Sequence, residues 1–141
     1  IAVLYMPWVR ATEQSQAFTS VGTSYTATSN LVNGGASDAI GLRIVIDAKT
    51  GTPTKLYVNN TFTGKELIVS CPSGFTAGDE IDFFSADPRD WLLTTTNPAH
   101  FGDSAADADC RLDRGTNPVK LKVDSGTVNA TLYWRPEELS P

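Results

Sequence analysis

Two adjoining runs near the C-terminal end of this chain alternate apolar and polar residues with a period of two. Val119, Leu121 and Val123 alternate with Lys120, Lys122 and Asp124; after Ser125-Gly126, Val128, Ala130, Leu132 and Trp134 alternate with Thr127, Asn129, Thr131 and Tyr133. That period belongs to a half-buried β-strand, because successive side chains leave a strand on opposite faces. A short turn ending in Gly predicts a hairpin that sets Val123 opposite Val128, Leu121 opposite Ala130 and Val119 opposite Leu132. The chain must then fold as a sheet protein with one wet face and one dry face.

The same pattern recurs upstream. Leu42, Ile44 and Ile46 alternate with Arg43, Val45 and Asp47, and Leu56 and Val58 with Lys55, Tyr57 and Asn59. A second hairpin is expected, with Ile46 opposite Leu56, Ile44 opposite Val58 and Asp47 opposite Lys55. Lys65 to Cys71 reads as a strand with Leu67, Val69 and Cys71 inward, and Glu80 to Ser85 as another. Ala2 to Val9 reads as a first strand and Arg111 to Asp113 as the start of one more. Asp87 to Leu93 fits a short helix, with Asp87 as N-cap and Pro88 at the first helical position. The expected fold is all-β: an antiparallel two-sheet sandwich of jelly-roll or Greek-key type, with about eight or nine strands at roughly ten-residue spacing. One domain spans 1–141, with a polar extended segment around 11–35 and a short C-terminal tail at 135–141. Within the polar segment, Thr23 to Thr28 has strand propensity and little to offer a core.

Composition narrows the function classes. With 141 residues the chain can bury a core without a disulfide lattice. Net charge is −5, and the Lys and Arg residues are scattered, with only Lys120 and Lys122 spaced to share a face. Nucleic-acid binding needs clustered cations and is not expected, nor is binding to an anionic membrane. No apolar run approaches a membrane span of about 20 residues. Ser and Thr make up about a fifth of the chain, a composition at home in extracellular or particle-bound β-proteins. The bulky Ile1 is a poor substrate for initiator-Met removal, which points to proteolytic maturation, leader removal or a trimmed chain. Cys71 and Cys110 allow one long-range bridge, worth about 3–4 kcal/mol by chain entropy, or two buried thiols.

Candidate chemistry is sparse. His100 is the only histidine, with Asp103 and Ser104 beside it but no nucleophile elbow. Asp103, Asp107, Asp109 and Asp113 offer the oxygen ligands that Ca²⁺ takes, without the loop Gly and closing Glu of an EF-hand. Two distant cysteines and one histidine do not make a usual zinc site. Glu80 and Asp82 share a strand face close to Asp87, Asp90 and Trp91, a combination found in sugar-cleaving clefts; a wet strand face followed by a capped turn accounts for it as well. Tyr57 and Tyr133 fall on outer faces and, with Trp91, are the candidate contact residues. Trp134 belongs to the core. Asn59-Asn60-Thr61 and Asn129-Ala130-Thr131 match the N-glycosylation pattern, as chance allows in so Asn- and Thr-rich a chain. No enzyme, cofactor or metal is expected.

In its Ser/Thr-rich strand pattern, polar Ala11–Gly35 segment and Pro-bounded tail Arg135–Pro141, the chain resembles small bacteriophage virion proteins, above all capsid decoration (cement) proteins. The resemblance implies a homo-oligomer, often a trimer, located in the virion and clamped across subunits of the major capsid protein. The segment 11–35 or the tails would lie on a neighbour's sheet edge. The alternative is a secreted carbohydrate-binding module or the receptor-binding head of a tail fibre, with Tyr57, Tyr133, Trp91 and the Asp103–Asp113 loop as its residues.

Overall fold

The computed structural model describes residues 8–10, 12–35, 39–40, 42–82, 106–107 and 112–139. In chain order the strands are β1 (Trp8–Arg10), β2 (Gln14–Val21), β3 (Ser29–Asn33), β4 (Ala39–Ile40), β5 (Arg43–Thr50), β6 (Lys55–Asn60), β7 (Lys65–Ser70), β8 (Glu80–Asp82), β9 (Ala106–Asp107), β10 (Leu112–Asp113), β11 (Gly115–Val123), β12 (Thr127–Trp134) and β13 (Glu137–Leu139). No helix occurs among the described residues. One sheet has the order β2-β12-β5-β8 and the other β3-β11-β6-β7-β9. Two short ribbons, β1-β13 and β10-β4, pair outside these two sheets, with Leu112 of β10 buried in the core. All pairings are antiparallel.

Followed along the chain, β2, β5, β8 and β12 fall in one sheet and β3, β6, β7 and β11 in the other. That strand order is the jelly roll, two Greek keys closed on each other, with β9 added at one edge. Inward positions alternate as the sequence requires. Ile44 and Ile46 of β5, Leu56 and Val58 of β6, Leu67 and Val69 of β7, and Val119, Leu121 and Val123 of β11 are all buried. So are Val128, Ala130, Leu132 and Trp134 of β12, and together these residues make one core.

Both expected hairpins are overturned. β11 pairs with β3 and β6, while β12 pairs with β2 and β5, so Val123 and Val128 are not cross-strand partners. Leu121 lies opposite Val58, Ala130 opposite Ile46, and Leu132 opposite Ile44. Likewise β5 and β6 lie in different sheets, which removes the Ile46–Leu56, Ile44–Val58 and Asp47–Lys55 pairs. Alternation states which face is dry, and an arch between two facing sheets satisfies it as well as a hairpin does. Only β6 and β7 form a hairpin between long consecutive strands.

The polar segment, expected as an extended arm or a weak edge strand, takes the second form. It supplies β2 and β3, one edge strand for each sheet, and buries Phe18, Val21 and Leu31. Thr23–Thr28 is irregular rather than strand, yet it runs beside β11: Thr26 N–H donates to Leu121 O (2.9 Å) and Val123 N–H to Gly22 O (2.9 Å). The expected strand over 2–9 and helix over 87–93 lie outside the described residues, apart from β1.

The two arches β5–β6 and β11–β12 sit against each other. Ser125 Oγ donates to Thr52 O (2.9 Å), and the Thr50 and Thr127 hydroxyls are 2.5 Å apart. Gly126 has φ +65°, and a Cβ there would lie 2.2 Å from the Thr50 carbonyl oxygen. Asp124 reaches across to cap the start of β6, accepting from Thr54 N–H (2.9 Å), the Thr54 hydroxyl (2.5 Å) and Lys55 N–H (3.0 Å). Burial pushes its carboxyl up, but these hydrogen bonds outweigh it and hold the group below its ordinary value. At the other end of the core, Asn117 Nδ2 lies 2.8 Å from Asp113 O, 3.1 Å from Gly115 O and 3.2 Å from Leu31 O. Its Oδ1 accepts from Asn60 Nδ2 (3.1 Å) and Asp113 N–H (3.0 Å).

Gly126→Ala is expected to cost at least about 1–3 kcal/mol in urea unfolding, the price of a left-handed non-Gly residue, before the clash with Thr50 adds to it. Gly64→Ala, also at positive φ but with nothing within 4 Å of a Cβ, carries the backbone strain alone and is the control. Acid unfolding tests Asp124. A depressed folded pKa gives stability present above the unfolded value of about 4 and lost as pH falls through the folded one. Asp124→Asn is expected to flatten that part of the stability–pH curve.

Candidate functional site

The outer face of the five-stranded sheet gathers lysines and tyrosines from segments far apart in sequence. The register sets Lys122 beside Tyr57 and Tyr57 beside Ile68; one row along, Lys120 lies beside Asn59 and Asn59 beside Glu66. Tyr25 comes from the irregular segment along β11 and lies across both rows. Its hydroxyl donates to Glu66 Oε2 in a very short hydrogen bond, and Asn59 Nδ2 donates to the same oxygen (3.2 Å). Lys120 Nζ is 4.5 Å and Lys122 Nζ 4.6 Å from the centre of the Tyr25 ring, and Lys122 Nζ is 4.7 Å from that of Tyr57. An ammonium over the negative face of a ring is attracted to it, by about 0.5–1 kcal/mol at exposed sites. Tyr25 is pushed up to about 12 by burial first, then by its hydrogen bond to Glu66, the Glu66 charge and Tyr57.

The outer face of the four-stranded sheet is built differently. Arg43 lies over the Tyr133 ring, 4.2 Å from its centre. Its guanidinium binds Glu13 (2.9 Å) and Glu80 (3.1 Å), and Arg135 reaches Glu13 at 3.5 Å. The two arginines here are neutralised by carboxylates of the same sheet, while Lys49 of β5 has no ion pair among the described residues and donates to Gly51 O (3.2 Å). Nor does any ion pair among the described residues involve Lys55, Lys120 or Lys122.

Tyr57 and Tyr133 therefore lie on outer faces of opposite sheets and cannot share one binding surface; Trp91 lies outside the described residues. Glu80 and Asp82 flank the buried Ile81, and Glu80 is held by Arg43. Asp87, Asp90, His100, Asp103, Ser104, Asp109 and Cys110 lie outside the described residues. Asp107 falls in β9 opposite Ile68, and Asp113 donates its N–H to Asn117. Among the described residues no group of three or more His, Cys, Asp or Glu could hold a metal ion. In the two glycosylation-pattern matches, Asn59 is tied to Glu66, and Asn129 Oδ1 accepts from Ser20 N–H (2.8 Å), holding a bulge where Ser20 has φ +53°. Cys71 is buried, its sulfur 3.9 Å from the Ser73 hydroxyl, and burial first of all pushes the thiol up.

Sequence reasoning missed Phe62 and passed over Tyr25 in favour of Tyr57 and Tyr133. Tyr25 sits in a polar tract with no period to orient it. Phe62, 61% exposed, stands at the tip of the β6–β7 hairpin. The turn beneath it is tied down: Thr61 N–H and Oγ1 donate to Pro118 O (2.9 and 3.0 Å), Phe62 N–H to Asn60 Oδ1 (3.0 Å) and Gly64 N–H to Asn60 O (2.9 Å). A single Phe between two Thr carries no sequence signal beyond its polar surroundings.

Comparison with family models, with curated proteins and with solved structures gives no match.

The Tyr25 arrangement has a spectroscopic consequence. A phenol whose folded pKa lies above its unfolded value of about 10 favours folding fully below that value and loses the contribution as pH rises towards 12. Tyrosinate absorbance is expected to show one phenol titrating about two units late, absent in Tyr25→Phe. That variant is also expected to lose roughly 1 kcal/mol of stability with the Glu66 hydrogen bond.

Proposed function

We propose that this chain is a non-enzymatic structural subunit of a virus or phage particle, a capsid decoration (cement) protein that reinforces the shell through contacts with the major capsid protein. The observation that carries this reading is the jelly-roll strand order, an architecture used repeatedly by viral capsid and lectin domains. It is an argument from architecture, and the surface adds to it. Phe62 is a rigidly displayed aromatic of the kind that anchors protein–protein contacts, because its turn is already ordered before binding. The carbohydrate-binding alternative has less support. Sugar rings stack on open aromatic faces, whereas Tyr25, Tyr57 and Tyr133 each carry a cation over the ring.

Particles purified from cells that carry the gene are the test. Mass spectrometry is expected to find the chain in fixed proportion to the major capsid protein. Particles lacking it are expected to rupture at lower temperature and to recover on addition of the purified chain, but not of Phe62→Ser. Absence of the chain from the particles overturns the reading, and glycan-array binding in that case favours the alternative.

A further inference from the structure

From Gln14 to Ser37 the sequence holds no Asp, Glu, Lys, Arg or His, in a chain whose net charge is −5. This stretch supplies β2 and β3, the first strands in the two sheet orders. They stand on one flank of the sandwich, because the arches β5–β6 and β11–β12 join strands of equal rank in those orders. The edges described on the other flank are charged: β8 carries Glu80 and Asp82, and β9 carries Asp107. Natural sheets guard an open edge with charge, Pro or a bulge, because its unpaired N–H and C=O groups invite another strand. Of these devices β2 has only the bulge, at Thr19 and Ser20, where Asn129 Oδ1 accepts from Ser20 N–H. Before it, Gln14 to Phe18 run in regular register along β12, from Trp134 to Ala130. Among the described residues no strand pairs with the other side of this run. Ser15 and Ala17 are exposed, and Gln16 Nε2 donates to Ala17 O (3.0 Å), a side chain standing in where no further strand supplies a donor.

We infer that the Gln14–Phe18 edge pairs with the same edge of a second copy of this chain, antiparallel about a two-fold axis through Gln16. Ser15 of each copy then faces Ala17 of the other, and Gln14 faces Phe18. Residues directly opposite in an antiparallel pair share a face, so the two four-stranded sheets continue as one. The small outward side chains of Ser15 and Ala17 meet without crowding, and main-chain hydrogen bonds supply the affinity. A second copy is the occupant that the charge pattern selects. Two acidic chains repel each other, and this flank is where charge has been withdrawn. Pairing β2 with itself also sets no like charges opposite, because Glu13, next to the strand, falls opposite Thr19. The contact is isologous and closes at two copies. The inference goes beyond the particle reading and does not depend on it.

Light scattering of the full chain over a concentration series is the test, and a monomer–dimer equilibrium is expected. Ser15→Lys/Ala17→Lys sets like charges opposite each other twice across the axis and is expected to weaken dimerisation about tenfold or more. Ser15→Glu/Ala17→Glu is expected to do the same with the other sign. An equimolar mixture of the two variants is expected to dimerise again, because opposite charges then meet. Thr116→Lys, which adds a lysine at an exposed position of the other sheet, is expected to leave dimerisation unchanged. Thermal unfolding checks that each variant folds; if one double variant does not, the other, measured alone, still carries the comparison with wild type. A chain that is monomeric at every concentration overturns the proposal, as does a dimer that the double variants leave intact or that the mixture fails to restore. A closed trimer overturns it too, because a two-fold edge contact stops at two copies. None of these results bears on the particle reading, which incorporation of the chain into particles decides separately.

Discussion

The chain passes between the two packed sheets at several arches, and two of those passages are wedged together at Gly126. The β5–β6 and β11–β12 arches approach so closely that no side chain fits between Gly126 and the Thr50 carbonyl. Asp124 and Ser125 then fasten the second arch to the first through Thr54, Lys55 and Thr52. This corner sets how β5, β6, β11 and β12 lie over one another, and those four strands carry most of the core. The polar face described above depends on it as well, because Lys122 meets Tyr57 only in the β6–β11 register that the corner holds.

The far end of the sandwich is closed by amides rather than by apolar packing. Asn117, Asn60 and Asn33 occupy buried positions and satisfy carbonyl and N–H groups where the loops cross. A buried amide is stable only with its hydrogen bonds made, so these residues specify loop geometry in a way that aliphatic side chains cannot. Trp134 adds a link across the layers, its indole N–H donating to Val32 O (2.9 Å).

How far the sequence was legible follows from what alternation encodes. It placed Ile44, Ile46, Leu67, Val69, Leu121, Val123, Leu132 and Trp134 inward, and all are buried. It could not name their partners, because the dry faces of Val123 and Val128 look the same whether the strands lie side by side or across a core. The inward asparagines gave no signal, because Asn33, Asn60 and Asn117 sit at or near strand ends, where the apolar alternation stops. Tyr57 was placed outward correctly, but its neighbours come from β11 and from Tyr25, 32 positions away in a tract without periodicity. A surface assembled from four separated segments is a property of the topology, and local pattern does not hold it.

The position of the last two long strands bears on how the protein is made. β11 and β12 are interior strands, each flanked on both sides by strands synthesised earlier. Until they leave the ribosome, β2 and β3 have no partner, β5 lacks one neighbour and β6 another; only the β6–β7 hairpin can form from local chain alone. Pairing between distant segments is slow because loop-closure entropy is paid before the contacts repay it. The nascent chain must therefore carry several unpaired edges until these two strands emerge, and neither sheet can close before Trp134 is out.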